Sequence, residues 1–218
     1  MTRNAKISIG VVLVAVVGVL VALLVPWGGA DPADSSAGGS GTAGIAARPD
    51  SHRLSTAPDG PTFVEFLDFE CEACGAVYPV IEQLRAEYGD RVNFVIRYFP
   101  IASHFNAERA ARAVEAAAQQ GQLEGMYKRM YETQLEWGEQ QVPMDDRFRG
   151  YARDLGLVMD EYDRVYNAPE TLDRIRADQA DGQALGVQGT PTFFLDGQRL
   201  QPQSVGDLTS AFDAALAR

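Results

Sequence analysis

The first pattern along the chain is a run of residues 7–25 that contains no charged side chain. A helix over this run would be long enough to cross the hydrocarbon core of a bilayer. Arg3 and Lys6 precede the run, and no acidic residue occurs before Asp31. The positive-inside rule therefore places residues 1–6 in the cytoplasm and the rest of the chain outside the membrane.

This pattern predicts a transmembrane anchor, or an uncleaved signal, at residues 7–27. A cleaved signal peptide is the alternative, because Gly28-Gly29-Ala30 offers small residues of the kind found at cleavage sites. The segment 28–57 begins with many Gly, Ala, Ser and Asp residues, a composition that predicts a flexible tether. Residues 58–218 remain, and they are numerous enough to form one domain with a full hydrophobic core.

Within this domain the apolar positions form short runs and helical stripes. Short aromatic and β-branched runs predict strands, whereas apolar residues near a spacing of 3.6 predict amphipathic helices. One such stripe covers residues 123–137 and includes Leu135. Strands are predicted over residues 62–68, 92–99, 192–195 and 198–200, and helices over residues 71–88, 106–119, 123–137, 145–155, 160–166, 169–185 and 205–216.

The predicted order is a βαβ unit, a helical block over about residues 100–185, and a ββα unit. Because a helix joins the first two strands, these strands are expected to be parallel. Asp196-Gly197 predicts a hairpin turn between the last two strands. The pattern therefore predicts an α/β fold with an inserted helical domain, preceded by one N-terminal transmembrane helix.

The composition adds an acidic balance, with 30 Asp and Glu against 19 Lys and Arg and a net charge of −11. Such a charge makes non-specific binding to nucleic acid unfavourable. It is otherwise typical of a soluble surface.

Candidate chemistry lies in the two cysteines of the chain, which are spaced as Cys71-Glu72-Ala73-Cys74 between a strand and a helix. A structural zinc site needs about four ligands, and no second Cys or His pair occurs at ligand spacing. A disulfide across so short a loop constrains little of the unfolded chain. The pair therefore predicts redox chemistry, and the alternative is a structural pair without a catalytic role. At a helix start, unpaired N–H groups would favour a thiolate at Cys71, with Cys74 as the shielded resolving thiol.

Two motifs and the block between them resemble one family. The motifs are Phe63-Val-Glu-Phe-Leu-Asp-Phe-Glu-Cys71-Glu-Ala-Cys74 and Gly189-Thr-Pro-Thr-Phe-Phe194, and the block opens with Phe99-Pro100 and His104. The chain resembles the DsbA-like thiol–disulfide oxidoreductases, in the membrane-anchored form of Gram-positive and actinobacterial cells. The resemblance spans about residues 58–218 and implies a thioredoxin fold with a helical insertion.

The resemblance also implies roles for individual residues. Cys71 matches the exposed nucleophile of the family and Cys74 the buried resolving cysteine. Pro191 matches the cis-proline that faces the disulfide, and the alternative for it is a trans residue at a strand start. Thr190 matches the residue whose backbone pairs with the substrate peptide.

Further roles are implied for four residues around this pair. Glu72 and Ala73, inside the cysteine motif, are expected to contact substrate. Glu65 matches a buried acidic residue that exchanges a proton with Cys74, and the alternative is a solvent-facing strand residue. His104 is expected at the rim of the site, where relatives often carry histidine, and its alternative is local capping or packing.

The two glutamates that flank Cys71, Glu70 and Glu72, distinguish this chain from strongly oxidising relatives. Negative charge disfavours a thiolate, and a less stable thiolate makes a weaker oxidant. We therefore predict that the pKa of Cys71 lies above that of the strongest oxidases in the family.

The function expected from this resemblance is that of an extracytoplasmic dithiol oxidase that introduces disulfides into exported proteins. It would act as a monomer on proteins with free cysteines and would use no cofactor or metal. A membrane protein of the DsbB-like or vitamin K epoxide reductase-like type would reoxidise it. The alternatives are a disulfide reductase or isomerase on the same fold and a peptide- or metal-binding chaperone.

Overall fold

A mixed β-sheet forms the centre of the computed structural model, which describes residues 38–218. Its strands are β1 (His52–Arg53), β2 (Thr62–Leu67), β3 (Asn93–Tyr98), β4 (Thr192–Leu195) and β5 (Gln198–Leu200). They lie in the order β1-β3-β2-β4-β5, with β2 and β3 parallel and the other neighbours antiparallel. The predicted parallel pair and the predicted hairpin between β4 and β5 are thus confirmed.

Helices cover both faces of this sheet. They follow the predicted order, with most ends within one or two residues of the predicted bounds. The helical block between β3 and β4 confirms the predicted insertion into a thioredoxin-like fold. The helices are α1 (Gly38–Ala46), α2 (Glu72–Tyr88), α3 (Ala107–Ala118), α4 (Leu123–Glu132), α5 (Gln134–Trp137), α6 (Asp145–Asp154), α7 (Met159–Tyr166), α8 (Pro169–Ala184) and α9 (Val205–Leu216).

Strand β2 is buried on both faces and separates two apolar clusters. Phe63 and Leu67 belong to the larger cluster, together with residues of α2, α9 and the helical block. Val64 and Phe66 belong to a smaller cluster on the opposite face. Because side chains alternate along a strand, Glu65 lies on the same face as Phe63 and Leu67, the face that α2 covers.

Residues 38–57 belong to the ordered fold, so the predicted flexible tether is wrong for this part of the chain. Strand β1 pairs with β3. The fully buried side chain of Arg97 donates hydrogen bonds to the carbonyl oxygens of Ile45 and Ala46, at 2.8 Å each. Arg48 forms ion pairs with two acidic side chains of α8 at 2.6 Å. These contacts are long-range, so the local composition did not reveal them.

The predicted cytoplasmic segment 1–6, the predicted anchor 7–27 and the tether up to residue 37 lie outside the described residues. In the part that the structure does describe, no helix has both the length and the apolar character needed to span a bilayer.

The position of Leu135 differs from the prediction. The single helix predicted over residues 123–137 is interrupted at Thr133, the C-cap of α4, and continues as the short helix α5. This break changes the helical phase, so Leu135 faces solvent with 97% of its surface exposed. Gln134 and Trp137 of α5 are buried instead.

Candidate active site

The two cysteines lie where β2 leads into α2. Cys71 is the N-cap residue of α2, with an extended backbone, and Cys74 lies in the first turn of the helix. Both are free thiols, with 9% of Cys71 and 1% of Cys74 exposed. The Sγ atom of Cys71 lies 3.3 Å from the carbonyl oxygen of Thr190, to which it donates a hydrogen bond while it is protonated. Both cysteines are buried, and Cys71, the expected exposed nucleophile, is the more exposed of the two.

The surroundings of the two sulfurs drive their pKa values apart. The hydrogen bond with the Cys74 side chain outweighs burial and, together with hydrogen bonding to Thr190 and to the backbone of Cys74 and Ala73, lowers the pKa of Cys71 to about 5. Burial raises the pKa of Cys74, and the hydrogen bond with Cys71 and the charge of Glu65 act in the same direction. Cys71 is therefore a thiolate at neutral pH while Cys74 keeps its proton.

A cis peptide bond joins Thr190 to Pro191, as the resemblance predicted. Strand β4 begins directly after it and pairs with β2, with Thr192 opposite Phe66. This pairing places the Thr190 carbonyl beside Cys71. A cavity of about 400 Å³ lies next to Pro191 and is lined by residues of β4, β5 and the loop that follows β5.

Glu65 is buried beneath the cysteines, with 3% of its surface exposed. Burial, followed by the charges of Cys71 and Glu82, raises the pKa of its carboxyl to about 8. The alternative of a solvent-facing residue is therefore wrong. The Glu65 carboxyl is therefore largely protonated at neutral pH, and its charge acts on Cys74. Such a group can exchange a proton with the Cys74 thiol.

The structure changes the role expected for Glu70 and Glu72, the two glutamates that flank Cys71. Glu70 is 2% exposed, and its carboxylate accepts hydrogen bonds from the backbone N–H groups of Asn106 at 2.5 Å and Glu139 at 3.0 Å. The main influences on the pKa of Cys71 are Cys74, burial, Thr190 and backbone N–H groups rather than the two glutamates. That the pKa of Cys71 lies above that of the strongest oxidases stays a prediction, and thiolate absorbance against pH tests it; a pKa near about 3.5, the low end for such motifs, would refute it.

Glu72 and Ala73 lie in the first turn of α2 and are both exposed. Their side chains are therefore accessible to a bound polypeptide beside Cys71. Substrate contact by these two residues stays a prediction.

Asp68, which the sequence analysis did not select, connects His104 to the active-site turn. Its side chain is fully buried, and its Oδ2 atom lies 2.7 Å from Nδ1 of His104. The same oxygen accepts a hydrogen bond from the N–H of Ile101 at 2.9 Å, and Oδ1 accepts one from the N–H of Glu70 at 2.8 Å. An acidic residue at the end of a buried apolar strand, three positions before Cys71, was the signal that could have identified it.

Gln134 is a second residue that the sequence analysis did not assign to the site. Its buried amide Nε2 donates hydrogen bonds to the carbonyl oxygens of Phe69 at 2.7 Å and Cys71 at 2.9 Å. Gly75 follows Cys74 and makes room for this amide, because a Cβ atom at position 75 would overlap Oε1 of Gln134. Gln134 therefore holds the backbone of the active-site turn from the helical insertion.

Changing Gly75 to alanine is expected to displace the Gln134 amide and to destabilise the protein by about 1–3 kcal/mol, because two buried carbonyl oxygens lose their donor. Gly150→Ala is the matched control, since Gly150 lies within α6 and an added Cβ meets nothing within 4 Å. The control is expected to be neutral or stabilising by up to about 1 kcal/mol. Urea unfolding checks both values. Equal losses of stability in Gly75→Ala and Gly150→Ala would contradict the proposed contact. So would a double variant, Gly75→Ala with Gln134→Ala, that loses the full sum of the two single losses.

A family model described as a DSBA-like thioredoxin domain matches residues 62–213. Among curated proteins, the Na(+)/H(+) antiporter NhaA 1 of Mycobacterium sp. (strain KMS) is 36% identical over 165 residues, which make up 72% of this chain and 25% of that protein. The chain thus spans about a quarter of the length of the curated relatives it matches.

Solved structures with the same fold include a thioredoxin-like oxidoreductase from Silicibacter pomeroyi DSS-3. It has a TM-score of 0.65 at 28% identity, over 78% of this chain and 94% of that one. The oxidoreductase DsbA from Xylella fastidiosa has a TM-score of 0.62 at 21% identity, over 78% of this chain and 91% of that one. At this lower identity the likeness shows the fold alone.

Proposed function

Because this chain belongs to the family of DSBA-like thioredoxin domains, we propose that it is a protein thiol:disulfide oxidoreductase that acts as a dithiol oxidase on exported proteins. The observation that carries this proposal is the unequal pair of sulfurs. Cys71 is accessible, has a low pKa and faces the carbonyl of Thr190, whereas Cys74 is shielded and has a raised pKa. A stable Cys71 thiolate favours the reduced enzyme and so makes the disulfide an oxidant.

The proposed reaction moves two electrons from a substrate dithiol to the enzyme disulfide. A substrate thiolate attacks Sγ of Cys71, the Cys71–Cys74 bond breaks, and Cys74 leaves with the electron pair and takes up a proton. The second substrate thiolate then attacks the substrate sulfur of the mixed disulfide. Cys71 leaves as a thiolate, and the substrate is released with a disulfide. Glu65 is the proposed proton donor to Cys74.

We place this reaction outside the cytoplasmic membrane, with the domain attached through the anchor at residues 7–27. The uncharged run with basic residues before it supports this location. This chain is also similar to a segment that makes up about a quarter of a protein named as an antiporter. That similarity supports a position at a membrane surface. In this setting a membrane protein of the DsbB-like or vitamin K epoxide reductase-like type would accept the two electrons from the dithiol form.

A disulfide reductase or isomerase is the second candidate function. The dipeptide inside the motif, Glu72-Ala73, carries an exposed negative charge beside Cys71, and such a charge favours the disulfide over the thiolate. An electron donor outside the cytoplasm would then have to keep the pair reduced.

The reduction potential of the full-length chain, equilibrated in detergent with glutathione buffers, tests the direction of electron flow. We expect a value closer to about −120 mV, which is typical of the strongest oxidases, than to the value of thioredoxin. A value near about −270 mV, which is typical of thioredoxin, would contradict the oxidase and favour the reductase. Oxidation of a reduced, unfolded protein by the disulfide form is the accompanying activity measurement.

A further inference from the structure

The exposed side chain of Leu135 lies beside the active-site turn. It is 97% exposed, whereas Trp137, two positions further along α5, is fully buried. The preceding residue, Gln134, donates a hydrogen bond to the carbonyl oxygen of Cys71 at 2.9 Å. Because neighbouring Cα atoms are about 3.8 Å apart, Leu135 is close to the nucleophile's turn. A single exposed leucine is common on protein surfaces, so its position is what distinguishes this one.

A small cavity, which we call the insertion-side pocket, lies between Leu135 and the first turn of α2. Its volume is about 110 Å³, and it is lined by six residues, Glu70, Glu72, Gln134, Leu135, Gly138 and Glu139. This volume is well below the roughly 300 Å³ at the low end for drug-sized ligands, so it suits a single side chain. Because Glu72 directly follows Cys71, the pocket adjoins the nucleophile along the chain.

The lining of the pocket combines apolar surface with negative charge and contains no basic side chain. Glu72 and Glu139 are both exposed, and among residues 38–218 neither forms an ion pair with Lys or Arg. The neighbouring Glu136, in contrast, pairs with Arg147 at 2.7 Å. Two carboxylates of the pocket are therefore without a cation in the described part of the chain.

Gln134 leaves an acceptor unused in the lining of this pocket. The residue is 7% exposed, and both of its side-chain hydrogen bonds are donated by Nε2. Within the described residues no group donates a hydrogen bond to its Oε1 atom. A largely buried amide oxygen without a donor costs free energy, so a ligand that carries N–H groups would be favoured here.

We propose that the insertion-side pocket binds one lysine or arginine side chain of the substrate polypeptide, close to the substrate's reactive cysteine. These two residue types combine an aliphatic stem with a cationic head that carries several N–H donors. The stem would lie on Leu135, and the head would lie between Glu72 and Glu139. This inference rests on the proposed function and names the substrate feature that the site selects.

Peptides with two cysteines test this preference on the full-length protein in detergent. Each position near the first cysteine in turn carries Lys, Gln or Glu, and the disulfide form of the protein oxidises the reduced peptides. At the position that reaches the pocket we expect kcat/KM to be about fivefold higher for Lys than for Gln, because exposed ion pairs each contribute modestly. The Glu peptide is expected to react most slowly. Raising the salt from about 0.05 M to about 0.5 M should reduce the preference through screening.

Variants assign the preference to the pocket, and each is judged by its own ratio of the two kcat/KM values, so that changes in the reactivity of Cys71 cancel. The double variant of Glu72→Gln with Glu139→Gln is expected to bring the ratio of Lys to Gln peptide to about one. Leu135→Ser is expected to lower kcat/KM for the Lys peptide by about threefold. Matched controls are Glu87→Gln, exposed at the far end of α2, and Val158→Ser, exposed just before α7. Both controls are expected to keep the wild-type ratio.

Equal rates for the Lys and Gln peptides at every position, or a preference that persists in the double glutamine variant, would overturn the proposal. The comparison also separates this inference from the direction of electron flow. If the dithiol form reduces the peptide disulfides and the disulfide form oxidises none of the peptides, the oxidase is contradicted. The ratio of Lys to Gln peptide in the reduction then decides the insertion-side pocket by the same criteria.

Discussion

Changing Cys71 to serine is expected to abolish dithiol oxidation, with a loss of about a thousandfold or more in rate. The chain contains two cysteines, and the remaining one, Cys74, is 1% exposed and keeps its proton because its pKa is raised. The variant therefore cannot form the Cys71–Cys74 disulfide that accepts the two electrons of the substrate dithiol, and the remaining thiol is shielded. Oxidation of a reduced model protein by the preoxidised wild type and by the variant measures this loss.

Cys74→Ser is the informative counterpart, because it leaves the reactive sulfur in place. The Cys71 thiolate is expected to attack a substrate disulfide, to release one substrate thiolate and to form a mixed disulfide that persists, since no resolving thiol remains in the protein. Mass spectrometry of the trapped complexes detects them. A serine hydroxyl can still donate a hydrogen bond to the thiolate, whereas alanine cannot. Thiolate absorbance against pH should therefore give a higher pKa for Cys71 in Cys74→Ala than in Cys74→Ser.

Residual turnover in Cys71→Ser would contradict the assignment of Cys71 as the nucleophile.

Changing Glu65 to glutamine is expected to increase the free energy of unfolding at high pH. This change exceeds the change at low pH by on the order of 5 kcal/mol. The reason is that the folded state raises the pKa of this carboxyl from 4.5 to about 8. Below pH 4.5 the group is protonated in both states and carries no penalty. Between these two pH values the unfolded chain ionises while the folded protein does not, so the wild type loses stability as the pH rises.

Urea unfolding at about pH 5 and about pH 9 separates this pH-dependent contribution from any constant cost of the amide. Titrating groups that do not interact with Glu65 contribute equally in the two proteins and cancel in the difference, whereas the coupling of Glu65 with Cys71 and Cys74 is part of what the difference measures. Glu72→Gln is the matched control, because Glu72 is exposed on the first turn of α2. Parallel pH profiles for the wild type and Glu65→Gln would show that the carboxyl is not destabilised in the folded protein.

The local features of this fold were predictable from residue pattern alone. Hydrophobic runs and stripes placed the strands and most helices, because these depend on spacing within a short segment. The cysteine motif between a strand and a helix located the reactive sulfur. The cis bond before Pro191 was expected from the family resemblance, because the residues alone also allow a trans bond. Leu135 was misplaced because a helix break at Thr133 leaves no strong local signal, since neither Gly nor Pro occurs there.

Other features depend on residues that meet only after folding. Gln134 reaches the Cys71 carbonyl across 63 residues, and Arg97 pairs with Asp178 across 81 residues. The second pair lies in the ion-pair network that also binds the segment predicted to be a tether. A composition rich in small residues predicts flexibility correctly only when no distant partner binds the segment.

Spacing and local propensity along the chain were enough to identify the reactive pair and the order of strands and helices around it. Which acidic side chains act on that pair became apparent only from the folded arrangement. Glu65 is buried beneath the sulfurs, the Glu70 carboxylate accepts hydrogen bonds from the backbone of the insertion, and Asp68 holds His104. The charge on a carboxyl depends on its burial and its partners, and in this protein both come from distant parts of the chain.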